Sequence, residues 1–261
     1  MDCIKAILDA GAGSRVFNRL DTGLFDAVAQ QARTDSLPLA VHTGDARDVT
    51  DAVQAKANSI EHGSFREKIP DELFVQMAKQ GTFYDPTLSV GEAFKDFAAG
   101  KADLLKRSLV QQVGPPELLQ GTEDAIATAQ TEPMRKALAQ YPMDMSIAID
   151  NLKRAHALGV SLVAGSDAGN YLVFHGPTVQ HELQLWVRAG IPSAVALQAA
   201  TSNAARLLKL EDRVGSIRRG NDADLLIVDG NPLEDITATE RISMVVFKGE
   251  RIDRTELFDQ H

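Results

Sequence analysis

Two short apolar runs decide the fold: Leu39-Ala40-Val41-His42-Thr43 and Ser59-Ile60-Glu61-His62. Between them, Val49–Ala57 has apolar residues at three- and four-residue spacings, a pattern typical of a helix that packs on a sheet. A run, a helix and a second run form a βαβ unit, which places both runs in one parallel sheet. The stretch therefore predicts an α/β fold.

The same alternation extends in both directions from this unit. Further strand-like runs are Cys3–Leu8, Thr82–Leu88 and Ser161–Ala164. Further helical patterns are Leu24–Ala32, Asp71–Lys79, an insertion of several helices at 91–158, Pro177–Ala189 and Pro192–Leu210. From Gly215 the pattern changes to short strands joined by Gly-Asn and Lys-Gly turns, with the first of them at 215–220. We expect an α/β body at residues 1–210 and a small β module at 211–261.

The composition excludes several classes of partner and site. The chain has 261 residues, and its formal charge of −9 argues against nucleic acid or an anionic membrane as the main partner. A single cysteine, Cys3, allows no internal disulfide and no cysteine-rich zinc module. No stretch reaches the roughly 18 consecutive apolar residues of a membrane-spanning helix. Any metal would be held by His, Asp, Glu or a modified Lys.

Four of the five runs carry a residue that can bind metal at or near the carboxyl end, where ligands gather in parallel α/β folds. These residues are Lys5, His42, His62 and Asp167. Taken singly, each has an ordinary alternative: a structural histidine, a turn aspartate or a solvated lysine. Their convergence on one edge of the sheet favours a site for zinc or a related divalent metal.

The sequence resembles the amidohydrolase superfamily, in the branch of imidazolonepropionase-like enzymes and metal-dependent Xaa-Pro dipeptidases. The resemblance rests on an ordered series of motifs and extends over nearly the whole chain. The motifs are Ile4-Lys5, Val41-His42-Thr43-Gly44, Ser59-Ile60-Glu61-His62-Gly63, Gly165-Ser166-Asp167-Ala168-Gly169, and a tail that includes Ala199–Ala205, Gly215–Ile217 and Ala223–Pro232.

The resemblance implies a role for each motif residue. Lys5 matches a fourth-strand lysine that is carboxylated in many members and bridges two metals. His42 and His62 match the metal ligands of the fifth and sixth strands. Asp167 matches the eighth-strand aspartate, which binds metal and moves the proton of the attacking hydroxide. His175 resembles a substrate-side histidine.

The chain departs from the family pattern at its start. A (β/α)8 barrel has eight strands, and the five runs match strands 4–8. The His-x-His pair of strand one is absent, since the six histidines are at positions 42, 62, 156, 175, 181 and 261. We therefore expect a partial TIM-type barrel. Three interpretations are open: a C-terminal fragment of a longer product, which we favour, a degenerate chain that assembles with another, and an artefactual reading frame.

Two functions follow from the resemblance. The first is a metal-dependent hydrolase of amide, peptide or cyclic amide bonds, with one or two divalent ions, Zn by preference, and Asp167 as proton shuttle. Lys5 favours the two-metal dipeptidase-like branch over the one-metal branch. The second is a non-catalytic chain that needs another chain to complete the barrel. A small amide or dipeptide is the expected substrate, homo-oligomerisation is left open, and the cytoplasm is the default compartment.

Other polar and aromatic residues are weaker candidates. For substrate contacts we single out Tyr84, Tyr171 and His175, with Arg15 as a partner for a substrate carboxylate. On the helix after Asp167, His181 and Glu182 are either neighbours of the metal ligands or a solvated face, and we favour the solvated face. His156 is interpreted as structural.

Overall fold

A parallel sheet forms the centre of the protein in the computed structural model, which describes residues 2–13 and 15–254. In chain order the strands are β1 (Ile4–Ile7), β2 (Gly11–Ala12), β3 (Arg15–Val16), β4 (Leu39–His42), β5 (Ser59–Glu61), β6 (Phe83–Asp85), β7 (Leu225–Val228), β8 (Ile242–Phe247) and β9 (Glu250–Ile252). The central sheet has the order β1-β4-β5-β6, with every pair parallel.

Helices connect and cover these strands. They are α1 (Thr22–Thr34), α2 (Ala46–Gln54), α3 (Asp71–Gln80), α4 (Leu88–Ala98), α5 (Ser108–Val113), α6 (Pro116–Ala127), α7 (Glu132–Ala139), α8 (Met145–Ala157), α9 (Pro177–Arg188), α10 (Ser193–Gln198) and α11 (Ala204–Leu207). The predicted helix Pro192–Leu210 is interrupted by a π-helical turn at Ala199–Asn203. Among the described residues, none of the helices has the length and apolar character that a bilayer crossing requires.

The two faces of the sheet differ in chemistry. Ala6, Val41, Ile60 and Tyr84 lie side by side in register and are buried against the helices. On the opposite face, the register aligns Ile7, His42, Glu61 and Asp85. Because strand side chains alternate between faces, one apolar layer packs on the helices and one largely polar row lies on the inner face of the partial barrel.

The predicted α/β class and partial TIM-type barrel are confirmed, with two corrections at strand ends. The run Thr82–Leu88 leaves the sheet at Asp85, because Thr87 is left-handed (φ 43°) and Leu88 begins α4. The run Ser161–Ala164 lies parallel to β6, and among the described residues it forms a single bridge, Tyr84 to Leu162.

The C-terminal region holds the predicted β module in shorter form. Strands β7, β8 and β9 make an antiparallel sheet. The expected strand at residues 215–220 is wrong: this segment forms turns, and its Ile217 side chain is exposed. The division at residue 210 stays a prediction, and residues 255–261 lie outside the described part of the chain.

Candidate functional site

A cavity of about 220 Å³ opens beyond the carboxyl ends of the central strands. Three of the predicted site residues line it: His42, His62 and Asp167. The remaining lining is mostly apolar and aromatic, with two arginines and one further carboxylate: Asp9, Arg15, Phe17, Thr43, Gly44, Phe65, Arg66, Val90, Phe94, Leu138, Tyr141, Met143 and Asn170. The cavity is therefore a binding site of the kind expected at this end of a barrel.

The two predicted histidine ligands are neighbours. His42 is the last residue of β4, and His62 follows β5 directly. Their rings meet edge-on, with centroids 4.5 Å apart. His62 and Gly63 both have a left-handed backbone, at φ 68° and 67°, which turns the chain sharply at this point. A side chain at Gly63 would come within 2.6 Å of the Tyr84 hydroxyl, so glycine is required there.

His62 is held as a buried, neutral imidazole. Burial lowers its pKa well below the usual 6.5, and the nearby charges of His42 and Lys5 lower it further. Its Nδ1 lies 2.5 Å from Oγ1 of Thr87, while its Nε2 is buried and has no hydrogen-bond partner among the described residues. A neutral imidazole with one nitrogen anchored and the other unbonded has the form of a metal ligand.

A charged cluster that was not predicted from the sequence forms one wall of the cavity. Asp9 Oδ1 accepts a hydrogen bond from Arg66 Nη2 at 2.8 Å, and Arg66 also donates to the Tyr141 hydroxyl. Asp9 Oδ2 is 3.8 Å from His42 Nε2. Burial alone would raise the pKa of Asp9, but His42, Arg66 and the Gly11 N–H outweigh it and hold that pKa below its ordinary value. The missed signal is position, because Asp9 directly follows the run Cys3–Leu8 at a strand end.

Asp167 lies at the rim of the cavity. It has a left-handed backbone (φ 50°), its side chain is exposed, and Asn170 Nδ2 donates to its Oδ2 at 3.0 Å. Two residues earlier, the Gly165 N–H donates to the buried Asp85 carboxylate at 3.1 Å. Burial raises the pKa of Asp85 well above its usual value, and the charges of Glu61 and Glu182 raise it further. The buried carboxyl of Asp85 thus anchors the loop that carries Asp167.

Lys5 lies deeper in the partial barrel. It pairs with Ala40, two residues before the Ile7–His42 pair, and its side chain is exposed. It is not among the residues that line the cavity, although its charge acts on His62. The structure thus places Lys5 on the inner face of the sheet, below the histidine pair.

The predicted substrate contacts lie elsewhere, with one exception. Tyr84 is fully buried between the sheet and α3, where it contacts Phe74. Tyr171 stacks on Phe97 at 3.9 Å between centroids, and His175 is exposed. None of these three lines the cavity in the described part of the chain, whereas Arg15 does.

The solvated-face interpretation of His181 and Glu182 on α9 is wrong, because both side chains are buried. His181 contacts Glu92 and Arg107, and Glu182 has no exposed surface. Helix α9 packs against α4, α5 and the 3-10 turn at Ile236–Glu240, and these contacts cover the face that the sequence pattern left open. His156 is half-buried on α8, and His261 lies outside the described residues.

The donors present fit a metal only in part. Within residues 2–13 and 15–254, no three His, Cys, Asp or Glu side chains come together as a metal-binding group. The unbonded, buried Nε2 of His62 beside His42 does fit one side of such a site, since imidazole nitrogen is a preferred ligand of zinc.

Known proteins resemble the chain over most of its length. The amidohydrolase family model matches residues 21–252. Ochratoxinase of Aspergillus niger is 26% identical over 257 residues, which are 95% of this chain and 45% of that protein. The chain thus spans about half the length of the curated relatives it matches.

Solved structures share the fold of the chain. A Xaa-Pro dipeptidase with methionine bound in its active site is 29% identical, with a TM-score of 0.70 over 97% of this chain and 54% of that one. Phenylurea hydrolase B shares the fold, with a TM-score of 0.68, 19% identity, and coverage of 100% of this chain and 55% of that one.

Proposed function

Because the chain belongs to the amidohydrolase family, we propose that it forms the greater part of the active site of a metal-dependent hydrolase of carbon–nitrogen bonds. One observation carries the proposal: at the carboxyl end of the parallel sheet, beside His42, the buried Nε2 of His62 has no hydrogen-bond partner among the described residues. A buried nitrogen without a hydrogen-bond partner lowers the stability of the folded protein unless a ligand binds it.

The residues have separate tasks in this proposal. His42 and His62 would hold a divalent metal, Zn by preference. The further ligands that we propose are Lys5, in carboxylated form, and Asp167. When bound, the metal would polarise the substrate carbonyl and lower the pKa of water. Asp167, at the rim, would take the proton of the attacking water and pass it to the leaving nitrogen.

The lining of the cavity supports a substrate with both an apolar group and a carboxylate. Phe65, Phe94, Leu138 and Met143 offer an apolar wall. Arg15 lines the same cavity and is our proposed partner for a carboxylate. We therefore propose acylated amino acids and dipeptides with apolar side chains as the substrate class, with cyclic amides as a further group.

A purified preparation of the chain tests the proposal. Metal content would be measured by mass spectrometry, and amine release would be followed on a panel of acylated amino acids and dipeptides. We expect bound metal and turnover, both lost in His62→Gln and retained in His156→Gln, which changes a half-buried histidine away from the cavity. Metal-free protein without turnover would contradict the proposal for this chain alone.

A second candidate has its own supporting observation. Within the described residues, β1 pairs with β4 alone, and Ile7 on its inner face is 61% exposed. Among the described residues β1 is thus an edge strand with one free edge and an exposed apolar side chain, which suits a non-catalytic chain that completes a barrel with another chain. Mass in solution separates the candidates: obligate association without metal supports this one, and a monomer with metal and turnover rejects it.

A further inference from the structure

Thr87 occupies a strained position between β6 and α4. Its backbone is left-handed, at φ 43° and ψ 50°, a conformation that a β-branched residue rarely adopts. Its side chain is buried, and its Oγ1 lies 2.5 Å from Nδ1 of His62. Such strain persists only where the surroundings hold the residue in place.

Glu182, on helix α9, keeps the backbone next to Thr87 in place. It is fully buried on α9, and its carboxylate accepts hydrogen bonds from the Leu88 N–H at 2.7 Å and the Ser89 N–H at 2.6 Å. The indole Nε1 of Trp186 donates to it as well, at 2.7 Å. Leu88 and Ser89 form the first turn of α4, whose free N–H groups favour a carboxylate. Glu182 therefore fixes the two residues that directly follow Thr87.

We infer that Thr87 and Glu182 are positioning residues for the metal site: Glu182 fixes the start of α4, and Thr87 then holds Nδ1 of His62 so that Nε2 faces the cavity. In this arrangement Nδ1–H donates to the Thr87 hydroxyl oxygen, and the lone pair lies on Nε2. The inference deepens the proposed function, since it rests on His62 as a metal ligand. It adds the two groups that select the tautomer of that ligand and the direction of its ring.

Nuclear magnetic resonance of the metal-free chain labelled with nitrogen-15 histidine tests the tautomer directly. His62→Gln identifies the His62 signals. We expect a protonated Nδ1 and an unprotonated Nε2 in the unmodified chain and in Thr87→Ser, which keeps the hydroxyl. Thr87→Val, which removes the hydroxyl at nearly constant shape, should give a mixture of tautomers. A proton fixed on Nε2 in the unmodified chain, or a tautomer unchanged in Thr87→Val, would overturn the inference.

Thr82→Val is a matched control for this series. Thr82 is equally buried, and its hydroxyl has no contact with a histidine: it donates to the Ala57 carbonyl at 2.8 Å and accepts from Gln80 Nε2 at 2.9 Å. Thr82→Val therefore loses a buried hydroxyl and its two hydrogen bonds without a change at His62. We expect normal His62 signals in this variant. Signals that change as they do in Thr87→Val would show a general loss of packing and reject the positioning role.

Zinc titration gives the second readout. Loss of a group that orients a metal-binding histidine typically lowers metal affinity by about 10- to 100-fold. We expect that loss in Thr87→Val, a smaller one in Glu182→Gln, and recovery in Thr87→Ser. If the unmodified chain binds no zinc, the proposed function fails while the tautomer measurement still decides the inference. If zinc binds equally in Thr87→Val and the tautomer is unchanged, the inference fails and the proposed function stands.

Discussion

The ring of His42 meets the ring of His62 edge-on, with an angle of 67° between their planes. The register of the parallel sheet produces this contact, because His42 pairs with Glu61 and His62 follows Glu61 directly. Two histidines 20 positions apart thus share one end of the sheet. This approach favours a cation shared by the two rings. Without one, the buried Nε2 of His62 has no hydrogen-bond partner in the described part of the chain.

Zinc should therefore stabilise the folded chain. A ligand at 100 times its dissociation constant adds about 2.7 kcal/mol to the free energy of unfolding. We expect thermal unfolding of the unmodified chain to shift upward with zinc and back with a chelator. His42→Gln should lose the shift and His156→Gln should keep it. An equal shift in both variants would place the zinc elsewhere.

Removal of Arg66 should destabilise the protein strongly. Its guanidinium and the Asp9 carboxylate are each only 11% exposed, so Arg66→Met leaves a buried charge without its partner. We expect a loss of about 3 kcal/mol in the free energy of unfolding, measured with urea. In the double variant Arg66→Met/Asp9→Asn no charge remains, and it should unfold less readily than Arg66→Met alone. Strictly additive losses would show that the two groups are not coupled.

The sequence predicts the histidine pair well because each residue ends an apolar run, and parallel runs end at one edge. Side chains alternate between the two faces along a strand, so Tyr84 and Asp85 face opposite sides of β6, and Tyr84 lies outside the cavity. Asp9 could have been found by the same rule.

Other parts of the site depend on tertiary packing and leave no local pattern. Glu182 caps a helix that begins 94 positions earlier in the chain, and no spacing connects the two. The burial of α9 on both faces likewise depends on where the helical insertion packs. Helical periodicity shows one apolar stripe and does not reveal a second partner on the polar side.

The stability lost in Glu92→Gln should depend on pH. Burial alone would raise the pKa of Glu92, but the hydrogen bond from His181 and the nearby positive charges outweigh it, so the pKa lies below its ordinary value of 4.5. The ionised form therefore stabilises the fold above pH 4.5, and this contribution is lost as pH falls through the lowered pKa. We expect a loss of roughly 2 kcal/mol at neutral pH that shrinks below pH 4.5.

Urea unfolding of the two proteins at neutral pH and at about pH 4 measures this difference. Glu123→Gln is the control, because Glu123 is exposed on α6. It should leave the free energy of unfolding nearly unchanged at both pH values. A loss in Glu92→Gln that stays constant with pH would assign the effect to packing rather than to charge.

Gly165→Ala should disturb the loop that carries Asp167. A methyl group at this position would come within 2.1 Å of Oδ2 of the buried Asp85, so the carboxylate or the loop must move. The move breaks the hydrogen bond from the Gly165 N–H to Asp85 and leaves that carboxylate poorly paired, at a cost of about 2 kcal/mol in the free energy of unfolding.

Gly121→Ala is the matched control, because Gly121 lies inside α6 with open space around it. This change should stabilise the protein by roughly 0.5–1 kcal/mol. The unfolding temperature should fall in Gly165→Ala and rise in Gly121→Ala. A Gly165→Ala protein as stable as the unmodified chain would show that Asp85 does not anchor the Asp167 loop.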